Sequence, residues 1–213
     1  MIKYERDPKI IQQISIKSIR ETLHLDNLED PRQQLLVRMI YAYGDINVMQ
    51  QARISDNAIS AGLLALKKNA NILCDSGMVV EGLKTEHLRK EPICLIDRPN
   101  VISQAKSKKL TRAMVSVENW KHYAEGSIVL IGNEPTALLR LMDLIEQSDI
   151  GKPALIIAMP RGYIGAVESK DYLWEHHEQF GIPCITMIGT MGGSTLVAAA
   201  MNTLISLRQE TLR

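Results

Sequence analysis

The spacing of apolar residues changes along the chain and separates two kinds of segment. In the N-terminal part, apolar side chains recur every three or four positions, as on one face of a helix. This pattern predicts helices over residues 8–24, 31–44 and 58–68. Pro31 suits the first turn of the second helix and Gly44 its C-terminal end, while Ser55, Asp56 and Asn57 offer an N-cap for the third.

Short uninterrupted apolar runs replace this spacing further along the chain. Most are bounded by Gly, Pro or Asn, which is typical of buried strands; they are Ile72–Cys74, Ile93–Ile96, Ile128–Ile131, Leu155–Met159 and Cys184–Ile188. Helical patterns lie between them, over 103–124, 134–148, 167–179 and 192–207. The alternation predicts one α/β domain over residues 1–213: a single doubly wound, mainly parallel sheet of about five strands, with helices on both faces and a helical N-terminal portion.

Composition narrows the class of protein. The chain has 213 residues and is 46% hydrophobic, enough for a sizeable core, and its net charge of +1 gives no bulk attraction to nucleic acid or membrane. No apolar run approaches a bilayer span, and the N-terminus, MIKYERDPK, lacks the apolar core of a secretory signal. Cys74, Cys94 and Cys184 share no CxxC spacing. We therefore expect a cytoplasmic protein without nucleic-acid or membrane partners.

Ligands of such sheets bind at the carboxyl ends of the strands, and two segments there carry candidate chemistry. IGTMGGST, at 188–195, opens a helix with Gly192, Gly193 and Ser194. Its free N–H groups favour a carboxylate or phosphate, although a tight turn with a hydroxyl cap explains the same residues. In MPRGYIGAVESK, at 159–170, Arg161 is either a carboxylate clamp or a solvated loop residue. From the residues alone, both alternatives stay open.

Other local motifs are less specific. QAKSKKLTRAM, at 104–114, places Arg112 in a basic run, which is usually a solvated helix face but also suits a polyanionic ligand. The histidines form neither HxxxH nor HExxH, there is no GxSxG, and no metal site is predicted. Local motifs thus indicate an α/β enzyme with a small anionic ligand.

Taken together and in order, these segments resemble the precorrin-8X methylmutase (cobalt-precorrin-8 methylmutase) family of cobalamin biosynthesis. The similarity begins at Tyr4, Arg6, Asp7, Ser15 and Arg20 and continues through VRMIYAYGD at 37–45, ILCDSGMV at 72–79, TRAM at 111–114, IGNEPTAL at 131–138, MPRGYIGAVESK at 159–170 and GTMGGSTLVAAAMN at 189–202. Several long motifs at matching separations are far more specific than one glycine loop.

The resemblance implies an isomerase that moves a methyl group from C11 to C12 of precorrin-8X or cobalt-precorrin-8, giving hydrogenobyrinate or cobyrinate. It implies no cofactor, because donor and acceptor are the same molecule, and a homodimer that binds a polycarboxylate tetrapyrrole near the subunit boundary. Such a ring needs scattered arginines and N–H donors. The implied substrate-binding residues are Ser15, Arg38, Arg112, Arg161, Gly192, Gly193 and Ser194.

One position departs from the family. The family's acid is a histidine in the segment matching VRMIYAYGD, and here that position is Tyr41. A tyrosine is ordinarily a weaker acid than a histidine by about 3.5 pKa units. Either Tyr41 donates the hydrogen bond itself, tuned by Arg38 or Asp45 on the same helix face, or Asp45 or Tyr43 supplies the proton.

Two further alternatives concern the class of protein. With the histidine replaced, the chain is alternatively a corrinoid-binding or carrier protein with little or no turnover. A third hypothesis is an α/β enzyme acting on an unrelated polycarboxylate or phosphorylated metabolite. Whether Tyr41 supports turnover distinguishes the methylmutase from the carrier. Whether any tetrapyrrole binds distinguishes both from the enzyme of an unrelated metabolite.

Overall fold

A six-stranded sheet organises the protein, whose computed structural model describes residues 4–211. Its strands are β1 (Ala52–Ile54), β2 (Ile72–Cys74), β3 (Ile93–Cys94), β4 (Ile128–Ile131), β5 (Leu155–Ala158) and β6 (Cys184–Met187). Their spatial order is β1-β6-β5-β4-β2-β3, and only the β1–β6 pairing is antiparallel. The predicted mainly parallel α/β sheet is confirmed.

Ten α-helices surround the sheet within the described residues. They are α1 (Pro8–Leu23), α2 (Pro31–Tyr43), α3 (Val48–Gln51), α4 (Ala58–Lys67), α5 (Gly77–Glu81), α6 (Pro99–Lys108), α7 (Arg112–Glu118), α8 (Pro135–Glu146), α9 (Ala166–Phe180) and α10 (Ser194–Thr211), with a 3₁₀ turn at Thr85–His87. No helix among residues 4–211 is both long and apolar enough to cross a membrane.

Local sequence fixes the ends of the N-terminal helices. The Asp7 carboxylate accepts the N–H of Lys9 at 2.8 Å and caps α1, and the Asp30 carboxylate caps α2 through the N–H of Arg32 at 2.9 Å. Each cap satisfies a donor that the first helical turn leaves free. Gly44 ends α2 in the left-handed conformation, with φ of 78°, as its position predicted.

The sheet carries a core on each face because side chains alternate along a strand. Ile128 and Leu130 pack with α2, α4 and α10 on one face, whereas Val129 and Ile131 pack with α7, α8 and α9 on the other. Helix α1 packs outside α2 and contributes no buried residue. The two covered faces leave the strand ends as the place for a site.

Several elements differ from the sequence predictions, among them the short helices α3 and α5, which were not predicted. Strand β1 was not predicted, because three residues are too few to show a period; the Ser55 hydroxyl after it accepts the Cys184 N–H at 2.9 Å instead of capping α4. The helix predicted over 103–124 is two helices. Lys109, with φ of 56°, ends α6, and the Thr111 hydroxyl accepts the Met114 N–H at 3.1 Å and begins α7.

Candidate active site

The carboxyl ends of five parallel strands meet at one edge of the sheet, and three of the turns there are in close contact. A Cβ added at Gly132, after β4, would lie 2.7 Å from the Cα of Ser194. A Cβ on Gly192 would overlap the carbonyl oxygen of Met159, after β5. Only glycine fits these positions, so the glycines bring the turns after β4, β5 and β6 together.

The turn before α10 contains one N–H group that is used within the protein and two that are not. The Gly193 N–H donates to the Met159 carbonyl at 2.7 Å, and the Gly193 carbonyl accepts from Leu196 at 3.1 Å. Within the described chain, the N–H groups of Ser194 and Thr195 have no acceptor. Since a helix N-terminus favours an anion, these two groups are candidates to receive a carboxylate. The predicted N–H donor at Gly193 is occupied by the protein itself.

Arg161 stands beside this turn. It is exposed in the loop between β5 and α9, and its Cδ lies 3.8 Å from the position that a Cβ on Gly193 would take. Its guanidinium is therefore free to share an anion with the α10 N-terminus. In the same loop, Tyr163 and Ile164 are 94% and 90% exposed. The structure thus brings Arg161 and Ser194 together, as the sequence predicted.

Tyr41 lies in the last turn of α2, close to the same place. Its neighbour Ala42 lines a cleft of about 300 Å³ together with Ser194 and Thr195. The Tyr41 side chain is 39% exposed, and its hydroxyl has no hydrogen-bond partner in the described chain. Asp45, the alternative proton donor, uses its carboxylate to accept the Asn47 N–H at 2.8 Å. Tyr41 therefore has a free hydroxyl one residue before Ala42, which lines the cleft, although Tyr41 itself is not among the lining residues.

Two predicted substrate-binding residues lie away from this cleft in the single chain. Arg38 lines a separate groove of about 710 Å³, which Arg20 also lines, beside α1. The hydroxyl of Ser15 donates to the Ile11 carbonyl at 2.8 Å within α1. Neither residue reaches the α10 N-terminus of its own chain.

Arg112 occupies the β3 side of the site edge. It is exposed, and its guanidinium donates to the Asp97 carboxylate at 2.7 Å. The hydroxyls of Thr111 and Thr136 lie 2.9 Å apart and join the start of α7 to the start of α8, which follows β4. Arg112 therefore stands at the carboxyl edge of the sheet, where an incoming carboxylate can compete with Asp97 for it.

Asp75, which the sequence analysis did not select, organises the turn after β4. It is 1% exposed, and its carboxylate accepts the N–H groups of Gly132, Asn133 and Glu134 at 3.1, 2.8 and 3.0 Å. Burial raises the pKa of this carboxyl, and the three hydrogen bonds oppose the shift. An acidic residue directly after a buried strand, in ILCDSG, was the available signal.

Lys170 is the second residue that the sequence analysis missed. Its side chain is fully buried, and its Nζ donates to the Met191 carbonyl at 2.6 Å. Burial lowers the pKa of the ammonium to about 8, against the opposing effect of Asp171. Ala166, Lys170 and Leu173 share the buried face of α9 at helical spacing, which was a usable signal.

No group of three or more His, Cys, Asp and Glu side chains in residues 4–211 is arranged to hold a metal ion. The site instead offers N–H groups, arginines and a phenolic hydroxyl. These are the contacts of an α/β protein that binds a polyanionic small molecule at the carboxyl edge of its sheet.

Comparison with known proteins specifies the family. The model of the precorrin-8X methylmutase family matches residues 10–207, and the chain belongs to this family of methyl-shifting isomerases. It is 38% identical over 211 residues to the precorrin-8X methylmutase of Pseudomonas aeruginosa, covering 98% of this chain and 100% of the relative. It is 38% identical over 181 residues to the cobalt-precorrin-8 methylmutase of Leptospira interrogans, covering 82% of each.

A solved structure agrees with the sequence relatives. The crystal structure of precorrin-8X methylmutase from Thermus thermophilus superposes with a TM-score of 0.84 at 34% identity, covering 95% of this chain and 97% of that one. The resemblance stated from the sequence motifs, the α/β fold and the isomerase class are thereby confirmed.

Proposed function

We propose that the protein moves the methyl group at C11 of precorrin-8X or cobalt-precorrin-8 to C12. The C11–methyl bond breaks as the C12–methyl bond forms, and the double bonds of the ring shift to compensate. Substrate and product, hydrogenobyrinate or cobyrinate, are isomers, so the reaction needs no oxidant, reductant or cofactor. Family membership supports the proposal, as does the free hydroxyl of Tyr41 in the helical turn whose Ala42 lines the cleft.

Binding is divided among several contacts in this proposal. One ring carboxylate binds to the N–H groups of Ser194 and Thr195 and to the Arg161 guanidinium. A second ring carboxylate replaces Asp97 as the partner of Arg112. Charge-assisted hydrogen bonds of this kind hold the ring in one orientation. The Tyr41 hydroxyl then donates a hydrogen bond to the ring, which stabilises charge that develops as the methyl group migrates.

We also propose a homodimer, acting in the cytoplasm, with its sites at the subunit boundary. Ile10, Ile11 and Ile14 of α1 are 40%, 39% and 58% exposed, which is unfavourable unless another surface covers them. Ser15 lies among them, so a second copy seated there would supply Ser15 to a shared site. Sedimentation should give twice the chain mass, and Ile14→Glu should give the single-chain mass; a monomeric wild type would contradict the dimer.

The test of the activity is a visible-absorbance time course with precorrin-8X and with cobalt-precorrin-8. The wild type should convert at least one of them, and Tyr41→Phe should lower the rate by about 10²–10⁴-fold, the usual contribution of a positioned acid. Tyr41→His should convert at a rate equal to or above that of the wild type, because imidazolium is the stronger acid.

Tyr43→Phe is the matched control. Tyr43 lies in the same helical turn and is 38% exposed, against 39% for Tyr41, so the two variants lose the same atom from similar surroundings. Tyr43→Phe should keep the wild-type rate. A loss of rate confined to this variant would show that Tyr43, and not Tyr41, is the proton donor.

The same experiment tests the carrier alternative, which the replacement of the family's histidine favours. If the protein is a carrier, the wild type should bind the tetrapyrrole and shift its absorption spectrum without converting it. Only the Tyr41→His variant should then convert the tetrapyrrole. Absence of any spectral change with either tetrapyrrole would contradict both functions and favour an unrelated anionic metabolite.

A further inference from the structure

The buried ammonium of Lys170 is not used by the proposed reaction, yet it contacts the turn that would bind substrate. We propose that Lys170 is a positioning residue that holds the Met191–Ser194 turn in the shape that receives a ring carboxylate. The inference rests on the proposed function, since it assigns the turn to substrate. Lys170 itself does not touch the substrate in this proposal.

The energetics of Lys170 favour a role beyond stability. Its ammonium has three donors, and in the described chain it has one hydrogen-bond acceptor, the Met191 carbonyl at 2.6 Å. Burying a charge that is not fully paired is costly, and replacing it by an apolar side chain of similar volume is often neutral or stabilising. The lowered pKa reflects the same cost.

The contact reaches the anion position through the backbone of one short turn. The Met191 carbonyl belongs to the same peptide group as the Gly192 N–H. Gly192 is pressed against the Met159 carbonyl, and the next N–H, that of Gly193, donates to that carbonyl at 2.7 Å. The two free N–H groups of α10 follow directly.

Two anchors thus hold the turn, one on each side of Gly192. Gly193 has φ of 131°, which glycine adopts readily, and glycine restricts the backbone less than other residues, so the shape of the turn depends on its anchors. Without the Lys170 contact, only the Gly193 hydrogen bond and local packing remain. We expect the free N–H groups to lose their fixed direction, which weakens anion binding without altering Tyr41.

Lys170→Met tests this, with affinity for hydrogenobyrinate measured by absorbance titration. The dissociation constant should rise by about tenfold, the usual scale for a charged hydrogen bond. KM should rise by a similar factor while kcat stays within about twofold, because a loss of binding alone does not change the chemical step. Tm should stay the same or rise.

The control is Lys106→Met, which removes an exposed lysine of α6 and should leave affinity and Tm unchanged. Hydrogen exchange should quicken at Gly193, whose N–H donates to the Met159 carbonyl, in Lys170→Met and stay unchanged in β4. Lys170→Gln, whose side chain is shorter, should reproduce the loss of affinity if the Met variant does not fold.

The outcomes separate the two proposals. A wild type that binds hydrogenobyrinate and a Lys170→Met variant with equal affinity would overturn the role of Lys170 alone. A lowered Tm, with kcat and affinity reduced only in proportion to the unfolded fraction, would show that Lys170 is merely structural. Failure of both variants to fold would show the same. Either outcome would overturn the proposed role of Lys170. A wild type that binds no tetrapyrrole would overturn the proposed function.

Discussion

Replacing Gly192 by alanine should destabilise the protein more than any other glycine substitution at the site edge. The added Cβ would overlap the Met159 carbonyl oxygen and lie 2.9 Å from that of Pro160. Both obstacles are backbone atoms, which cannot rotate away as a side chain can. Overpacking costs about 1–3 kcal/mol, and fixed obstacles place Gly192→Ala near the upper value, about 3 kcal/mol.

This free energy converts to a measurable shift in Tm. For chains of about 150–250 residues, 1 kcal/mol lowers Tm by roughly 2–4 °C, so Gly192→Ala should melt about 6–12 °C below the wild type in circular dichroism. The matched control is Gly77→Ala at the start of α5, where an added Cβ meets no atom within 4 Å. That variant should equal the wild type or gain up to about 1 kcal/mol.

The comparison also tests the packing of the three turns. If Gly192→Ala and Gly77→Ala melt together with the wild type, the turn before α10 does not press on β5. The account of why glycine occupies the turn would then be refuted, and with it the route by which Lys170 acts. A lowered Tm for Gly192→Ala alone supports both.

Three further predictions concern single side chains. Asp75→Asn should cost about 1–3 kcal/mol by denaturant unfolding, because an amide has one acceptor oxygen for three N–H donors; an unchanged midpoint would contradict this. Arg112→Ala should weaken hydrogenobyrinate binding by about tenfold or more in an absorbance titration, and equal affinity would remove Arg112 from the site. Burial raises the pKa of Cys184 to about 12, so this thiol should resist Ellman's reagent at pH 8 until the chain unfolds; reaction in the native state would contradict its burial.

The fold was predictable where the chain repeats a pattern long enough to show its period. The strand runs of β2, β4, β5 and β6 and the capped ends of α1 and α2 are local features, and local sequence specifies them. Strand β1 is held by pairing with β6, far away in sequence, so its three residues carry no period of their own. The break between α6 and α7 depends on one left-handed residue, Lys109, which an apolar pattern does not register.

The site was predictable where it belongs to a strand end. Arg161 and Ser194 follow from the rule that ligands bind at the carboxyl edge, and the structure places Arg161 beside Gly193, the residue before Ser194. The sequence marks Asp75 by its place after a buried strand and Lys170 by helical spacing, but their partners lie at distant positions, which one sequence does not reveal. The Gly193 N–H shows the opposite error, since a predicted ligand donor is used inside the protein.

The arrangement separates the groups that bind from the group that reacts. The N–H groups of Ser194 and Thr195 are fixed by glycine packing and by a buried lysine, so their direction depends on many contacts deep in the fold. Tyr41 is 39% exposed and makes no hydrogen bond with the described chain, so its replacement breaks no hydrogen bond of the fold. Under the proposed function, a change from histidine to tyrosine at that position would alter proton donation and leave the proposed carboxylate contacts in place. Methylmutase and carrier would then bind the same tetrapyrrole, and only a measurement of turnover would distinguish them.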